Sequence, residues 1–254
     1  MKYRGTTFGY LWSLLPALTK FLAMLYVLGP YVSPTTPHYP LYLFVGLIIW
    51  DAFVMMTNAC MTTLRNKAAL IQKISFPHII LMFAVGWTHT IIFCSHLIIV
   101  FLFLVILHVP LTWAILYTPI IILQLLLLSL GIGMILSSYS LRFQDIPHTW
   151  DMLLQILFWF TPIAYPAVFH GTIVRGALSA MSAQGFWPWG ILHVFVTLQP
   201  LSVILFDARR VLLYPENGIP SLVHTAVFTA IYACIFIVGL MMYRRRSKYF
   251  IQEF

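Results

Sequence analysis

The chain is predicted to be an all-α integral membrane protein with six membrane-spanning helices, on three observations. From Ile74 to Leu141 there is no Asp, Glu, Lys or Arg, and only the turn-forming His108-Val109-Pro110 interrupts the run. That length crosses a bilayer twice, since one crossing takes about 20 apolar residues. Across all 254 residues, 61% are hydrophobic and 8% charged, and the mean hydropathy is +0.94. The strict alternation of a membrane barrel is absent, which leaves helices as the way to satisfy backbone groups in lipid.

The expected spans are residues 9–31, 41–63, 79–107, 111–139, 148–169 and 223–243, and no polar or Gly/Ser-rich linker divides them, so residues 1–254 form one transmembrane domain. The first span follows Lys2 and Arg4 but is not a signal peptide, because its apolar run is too long and no A-x-A site follows. It contains Lys20, a charge expected to snorkel or to face an aqueous cavity. Pro110 separates spans three and four. Lys2, Arg4, Arg65, Lys67, Lys73, Arg142, Arg244, Arg245, Arg246 and Lys248 fall on one side, whereas connections 32–40 and 108–110 carry no charge. By the positive-inside rule both termini are cytoplasmic and residues 170–222, with Arg175, Arg209 and Arg210, lie outside. The net charge of +8 is therefore a topology signal and not a nucleic-acid footprint.

The residue types exclude most chemistry. Cys60, Cys94 and Cys234 all sit in predicted spans and read as small buried residues without disulfides. His89 and His96, seven apart on one helical face, lack a third metal ligand and read as packing residues. The six acidic residues make no acid/base pair by position, and no paired intramembrane ionisable groups are evident. There is no phosphate-binding G-x-x-x-x-G-K-[ST] loop, so any ATP and Mg must be held by another chain. Gly131 and Gly133, with Ser129 and Ser137, suit close approach of a neighbouring helix.

Between spans two and three, residues 64–77 (Leu64-Arg65-Asn66-Lys67-Ala68-Ala69-Leu70-Ile71-Gln72-Lys73-Ile74-Ser75-Phe76-Pro77) form a short amphipathic segment with Leu70, Ile71 and Ile74 on one face and Pro77 ending it. Two readings fit. The segment is a basic loop resting on anionic headgroups, or a docking helix whose apolar knobs enter a cytosolic partner.

Four motifs in order resemble the membrane subunits of type-2 ABC exporters, in particular the permeases for lipid-linked O-antigen, capsular polysaccharide or teichoic acid. Lys2-Tyr3-Arg4 through Trp12 and Pro16 resembles that family's R-Y-R-x-S-x-L-G-x-x-W…P entry to span one, and Ala69 to Pro77 its L-I-x-K-x-x-F-P coupling helix. Arg142-Phe143-Gln144-Asp145-Ile146-Pro147-His148 is similar to its F-R-D-[IV]-x-H loop, and Thr161-Pro162-Ile163-Ala164-Tyr165-Pro166 to its S-P-I-x-Y-P ending of span five. Two departures are present: family members carry a longer amphipathic stretch before span one, and Gln199-Pro200 stands where the family has Asn-Pro, ahead of Phe206 and Arg209. The resemblance implies a permease that is not itself an enzyme, a homodimer with two nucleotide-binding ATPase subunits, in the bacterial inner membrane. It implies ATPase coupling through Lys67, Leu70, Ile71, Lys73, Ile74, Phe76 and Pro77, and short external re-entrant helices between spans five and six. The uncharged stretch from Gly176 to Pro200 fits the latter.

A translocation path is expected along Trp50, Asp51, Asn58, Gln155, Trp159 and Tyr165. Trp12, Trp113 and Trp150 fall at predicted interfaces, but Trp50 and Trp159 fall near mid-span, where Trp facing lipid gains little. Asp51, Met55, Asn58 and Thr62 follow helical spacing, and Gln155 precedes Trp159 by one turn. Such groups face a wet cavity, where aromatic faces stack on sugar rings, or they satisfy one another in tight helix packing. The expected substrate is a lipid-linked polysaccharide. A permease for another lipid or a drug, a secondary transporter and a membrane-embedded transferase are the alternatives.

Overall fold

A computed structural model describes residues 11–34, 36–66, 79–110, 112–140, 142–165, 196, 198–214, 216 and 218–247. The described elements are helices: α1 (Leu11–Val32), α2 (Tyr39–Asn66), α3 (Ile79–Ile106), a 3-10 turn (Trp113–Tyr117) leading into α4 (Thr118–Ser140), α5 (Ile146–Phe160), α6 (Pro200–Leu212) and α7 (Leu222–Ser247). Among the described residues there is no strand. Four stretches are long and apolar enough to cross a membrane: 39–63, 79–106, 113–140 and 222–246.

Local chemistry sets the boundaries. Helix α3 ends where His108 adopts a left-handed conformation (φ 54°). The His108 amide then donates to Val105 O and the Val109 amide to Leu104 O, with Val109 and Leu104 both buried, which is the Schellman arrangement with its apolar contact. Helices α5 and α6 each carry Pro in their first turn, where the missing N–H has no helical partner to lose. Helix α5 stops at Phe160 because Thr161 is extended (φ −84°, ψ 129°), as the residue before Pro162 prefers. Its 15 residues reach about 22 Å, less than the roughly 30 Å hydrocarbon core. The fifth helix is thus shorter than the span expected at 148–169, and residues 166–195 lie outside the described ones.

Helix α2 is the hub. It packs against α1, α3, α4, α5 and α6, and 83% of its spanning window is buried. Helices α3 and α7 lie at the periphery and leave long apolar faces open, Trp87, Ile91, Ile98 and Leu102 on α3 among them. In hydrocarbon these faces need no covering, because lipid tails are as apolar as the side chains. Helix α4 is held between two neighbours by its glycines. A Cβ on Gly133 would lie 2.7 Å from Cys60 Cβ of α2, and one on Gly131 would lie 2.8 Å from Phe236 N of α7, so larger residues would force each pair apart.

Polar contacts divide the bundle into two ends. At one, Ser140 Oγ donates to Met61 O, and the Arg246 guanidinium sits 4.0 Å over the Tyr139 ring, joining the last turns of α2, α4 and α7. At the other, Tyr117 and Thr225 hydroxyls lie 2.7 Å apart, Tyr232 donates to Pro200 O, and His224 Nε2 lies 3.1 Å from Asp207 Oδ2. Arg142 and Arg244 to Arg246 gather at the first end, as the charge reading groups them.

Candidate functional site

The polar residues of α2 leave that helix in two directions. Asp51 points to α1, where Lys20 Nζ lies 3.0 Å from its Oδ1. The sequence reading found no paired intramembrane ionisable groups, and here the structure corrects it: residues 31 apart meet because α1 lies along α2. Pairing offsets the penalty each charge would meet alone at this depth. A small pocket beside Asp51, lined by Met55, His89, Phe93 and His96, opens between α2 and α3. His89 and His96 do share a face, as their spacing predicts, and no metal-binding group of three occurs among the described residues.

In the second direction α2 meets α5. Trp150 Nε1 donates to Thr57 Oγ1 at 3.3 Å, and its ring packs edge-on to Phe53. Trp150 is therefore an inward anchor of α5. Asn58 Nδ2 donates to Asp151 Oδ1 at 3.3 Å, and Trp50 packs edge-on against Phe158.

The six expected path residues consequently separate into two groups. Trp50 and Asp51 are buried, so Trp50 is a packing residue between α2 and α5. Gln155 and Trp159 stay exposed, and together with Asp151 at the same i, i+4, i+8 spacing they line an open polar face of α5. Trp159 is 71% exposed and sits in the last turn of α5, which ends at Phe160 ahead of Pro162. Tyr165 lies below it, its hydroxyl 3.1 Å from Trp159 O. Asn58, partly buried, bridges the two helices. The coupling residues Lys67, Leu70, Ile71, Lys73, Ile74, Phe76 and Pro77 lie outside the described residues. Of the cysteines, Cys60 is buried as expected, whereas Cys234 is exposed on α7.

The most constrained polar centre is one the sequence reading left in an external loop. Arg209 of α6 is 2% exposed, and its Nε, Nη1 and Nη2 donate to the carbonyls of Tyr42, Pro162 and Ile163 at 3.2, 2.6 and 2.7 Å. Its guanidinium carbon lies 3.5 Å from the centre of the Tyr42 ring, a close cation–π contact. Tyr39 and Tyr42 hydroxyls donate to Ala164 O and Tyr165 O, and Gln199 Nε2 reaches Thr161 Oγ1 and Phe160 O.

Every carbonyl from Pro162 to Tyr165 thus has a side-chain donor. Side-chain donors of this kind let a helix end in a buried position without water to cap it. The Thr161-to-Tyr165 and Gln199-to-Arg209 motifs, set apart in the sequence, are two halves of this one clamp. A usable signal was present, namely a charge set among Leu205, Ala208, Val211 and Leu212, the residues of one apolar face of an amphipathic helix.

No family model matches the chain. Among curated proteins it is 26% identical over 165 residues to the O-antigen export system permease protein RfbA of Myxococcus xanthus, a match covering 65% of this chain and 64% of that protein, just under two thirds of its length. Two proteins of that same description from Klebsiella pneumoniae are 24% identical over 247 residues (96% of this chain, 87% of the relative) and 25% identical over 188 residues (71% and 72%). Over nearly its whole length, then, the chain is similar to O-antigen export permeases, the kind of type-2 ABC exporter subunit that its four motifs resemble.

Proposed function

We propose that this chain is the transmembrane subunit of an ATP-driven exporter that carries a lipid-linked polysaccharide across the bacterial inner membrane. Similarity to O-antigen export permeases over 96% of the chain carries the reading. The rest follows from it: two copies form the path, six spans leave both termini in the cytoplasm, and the segment before span six re-enters the outer mouth. Two ATPase subunits below bind ATP and Mg and engage residues 67–77.

The open face of α5 supports a glycan path. Asp151, Gln155 and Trp159 offer hydrogen-bonding groups and one broad aromatic surface, and the clamp around Arg209 fixes the end of that helix. A few weak polar contacts let successive sugars pass without holding any one of them. The test is reconstitution of the chain with a candidate nucleotide-binding ATPase subunit. Lipid-linked glycan should stimulate hydrolysis and appear in the outer leaflet only with ATP; failure to co-purify, with hydrolysis indifferent to glycan, overturns the reading.

The Lys20–Asp51 pair favours one second reading, a secondary transporter, because paired intramembrane charges are common in that class. Transport driven by an ion gradient without any ATPase would establish it.

A further inference from the structure

The ion pair on α1 and α2 is lopsided. The Asp51 side chain is 11% exposed, whereas that of Lys20 is 54% exposed and sits ten residues into a 22-residue helix. Among the described residues, Lys20 is the one Lys or Arg in the central turns of the long helices; the others lie at helix ends or on α6. A pair serving only to join two helices would be covered on both sides. Here the carboxylate is covered and the ammonium is presented.

An ammonium has three donors, of which Asp51 takes one. At this depth free anions are excluded, so the anion able to reach Lys20 is one carried on a lipid, and among lipid groups a phosphate or diphosphate ester supplies both negative charge and several acceptor oxygens. We propose that Lys20, oriented by Asp51, binds the phosphate of a lipid phosphoester inside the membrane. Resting on the exporter reading, this makes Lys20 the point that holds the lipid carrier.

The test uses the full-length protein in lipid nanodiscs and a fluorescent long-chain polyprenyl diphosphate, with the polyprenol and inorganic diphosphate as controls. Binding is measured without an ATPase subunit, so it fails or succeeds independently of ATP-driven export. Lys20→Met should weaken diphosphate-lipid binding about tenfold or more, the loss of one charge-assisted hydrogen bond, and Lys20→Arg should restore most of it. The exchanged pair, Lys20→Asp with Asp51→Lys, keeps the attraction between the helices but buries the cation. It should recover thermal stability and not binding. Recovery of both overturns the proposal, because the pair then serves only packing. Polyprenol binding as tight as the diphosphate overturns it as well, and equal binding of inorganic diphosphate overturns the lipid assignment. Should the variants fail to assemble, the parent protein decides: the diphosphate lipid should protect the Lys20 amine from an acylating reagent, read by peptide mass spectrometry, and absence of protection rejects the site.

Discussion

Arg209 has no carboxylate partner among its described contacts; three backbone carbonyls and an aromatic face hold its charge. Replacing it with Met leaves the Pro162 and Ile163 carbonyls without a donor in a dry site, each worth about 1–3 kcal/mol. Arg209→Met should therefore lower stability by about 3 kcal/mol or more, measured as a drop in melting temperature and in yield of detergent-solubilised protein. Gly46→Ala should act in the same direction, since its new Cβ would strike Arg209 Nη2 and lie 3.1 Å from Ile163 O. Trp159 differs in kind. Because its ring is exposed and, among the described residues, packs beside Phe158, Trp159→Ala should assemble normally yet reduce export about two- to tenfold, as loss of an aromatic stacking surface. Parental export by that variant would remove Trp159 from the path. Gln155, one turn below on the same open face, is the second residue to examine by this assay.

At the scale of elements, α5 is a short helix pinned at both ends, by Trp150 on Thr57 and Asn58 on Asp151 near its start and by the Arg209 clamp after its end. These contacts couple α5 to α2. The proposed route for force from an ATPase is the connection following α2, residues 67–77. Substituting both Leu70 and Ile71 with Asp removes two apolar anchors worth roughly 3–6 kcal/mol of burial before binding costs. The double variant should insert in the membrane normally but lose ATPase co-purification, or hydrolyse without export. Unchanged complex yield and export would reassign the segment to a basic loop on headgroups.

For the whole molecule, the two ends of the bundle predict a labelling pattern. Single cysteines at Thr35 or Ser182 should react with an impermeant reagent on intact cells, whereas those at Asn66 or Ser247 should react only after permeabilisation. Labelling of Asn66 from outside would overturn the six-span arrangement and the docking segment together. Membrane class, helical content and the boundaries of α2, α3, α7 and of α4 taken with its leading 3-10 turn were legible in the sequence to within a few residues, because apolar length and helix-breaking residues such as Pro110 act locally. The placing of Arg142 with Arg244 to Arg246 at one end was legible too. The sequence did not determine which face of each helix turns inward. A helix apolar all round shows no stripe to read, since lipid and protein interior are equally apolar partners. Trp50 and Trp159 therefore looked alike, and only the packing of α5 on α2 buries one and exposes the other. Lys20 with Asp51, and Arg209 with the break after Phe160, were settled by tertiary structure alone. Each joins residues far apart in the chain, and a buried charge takes whatever partner the fold brings within hydrogen-bonding reach.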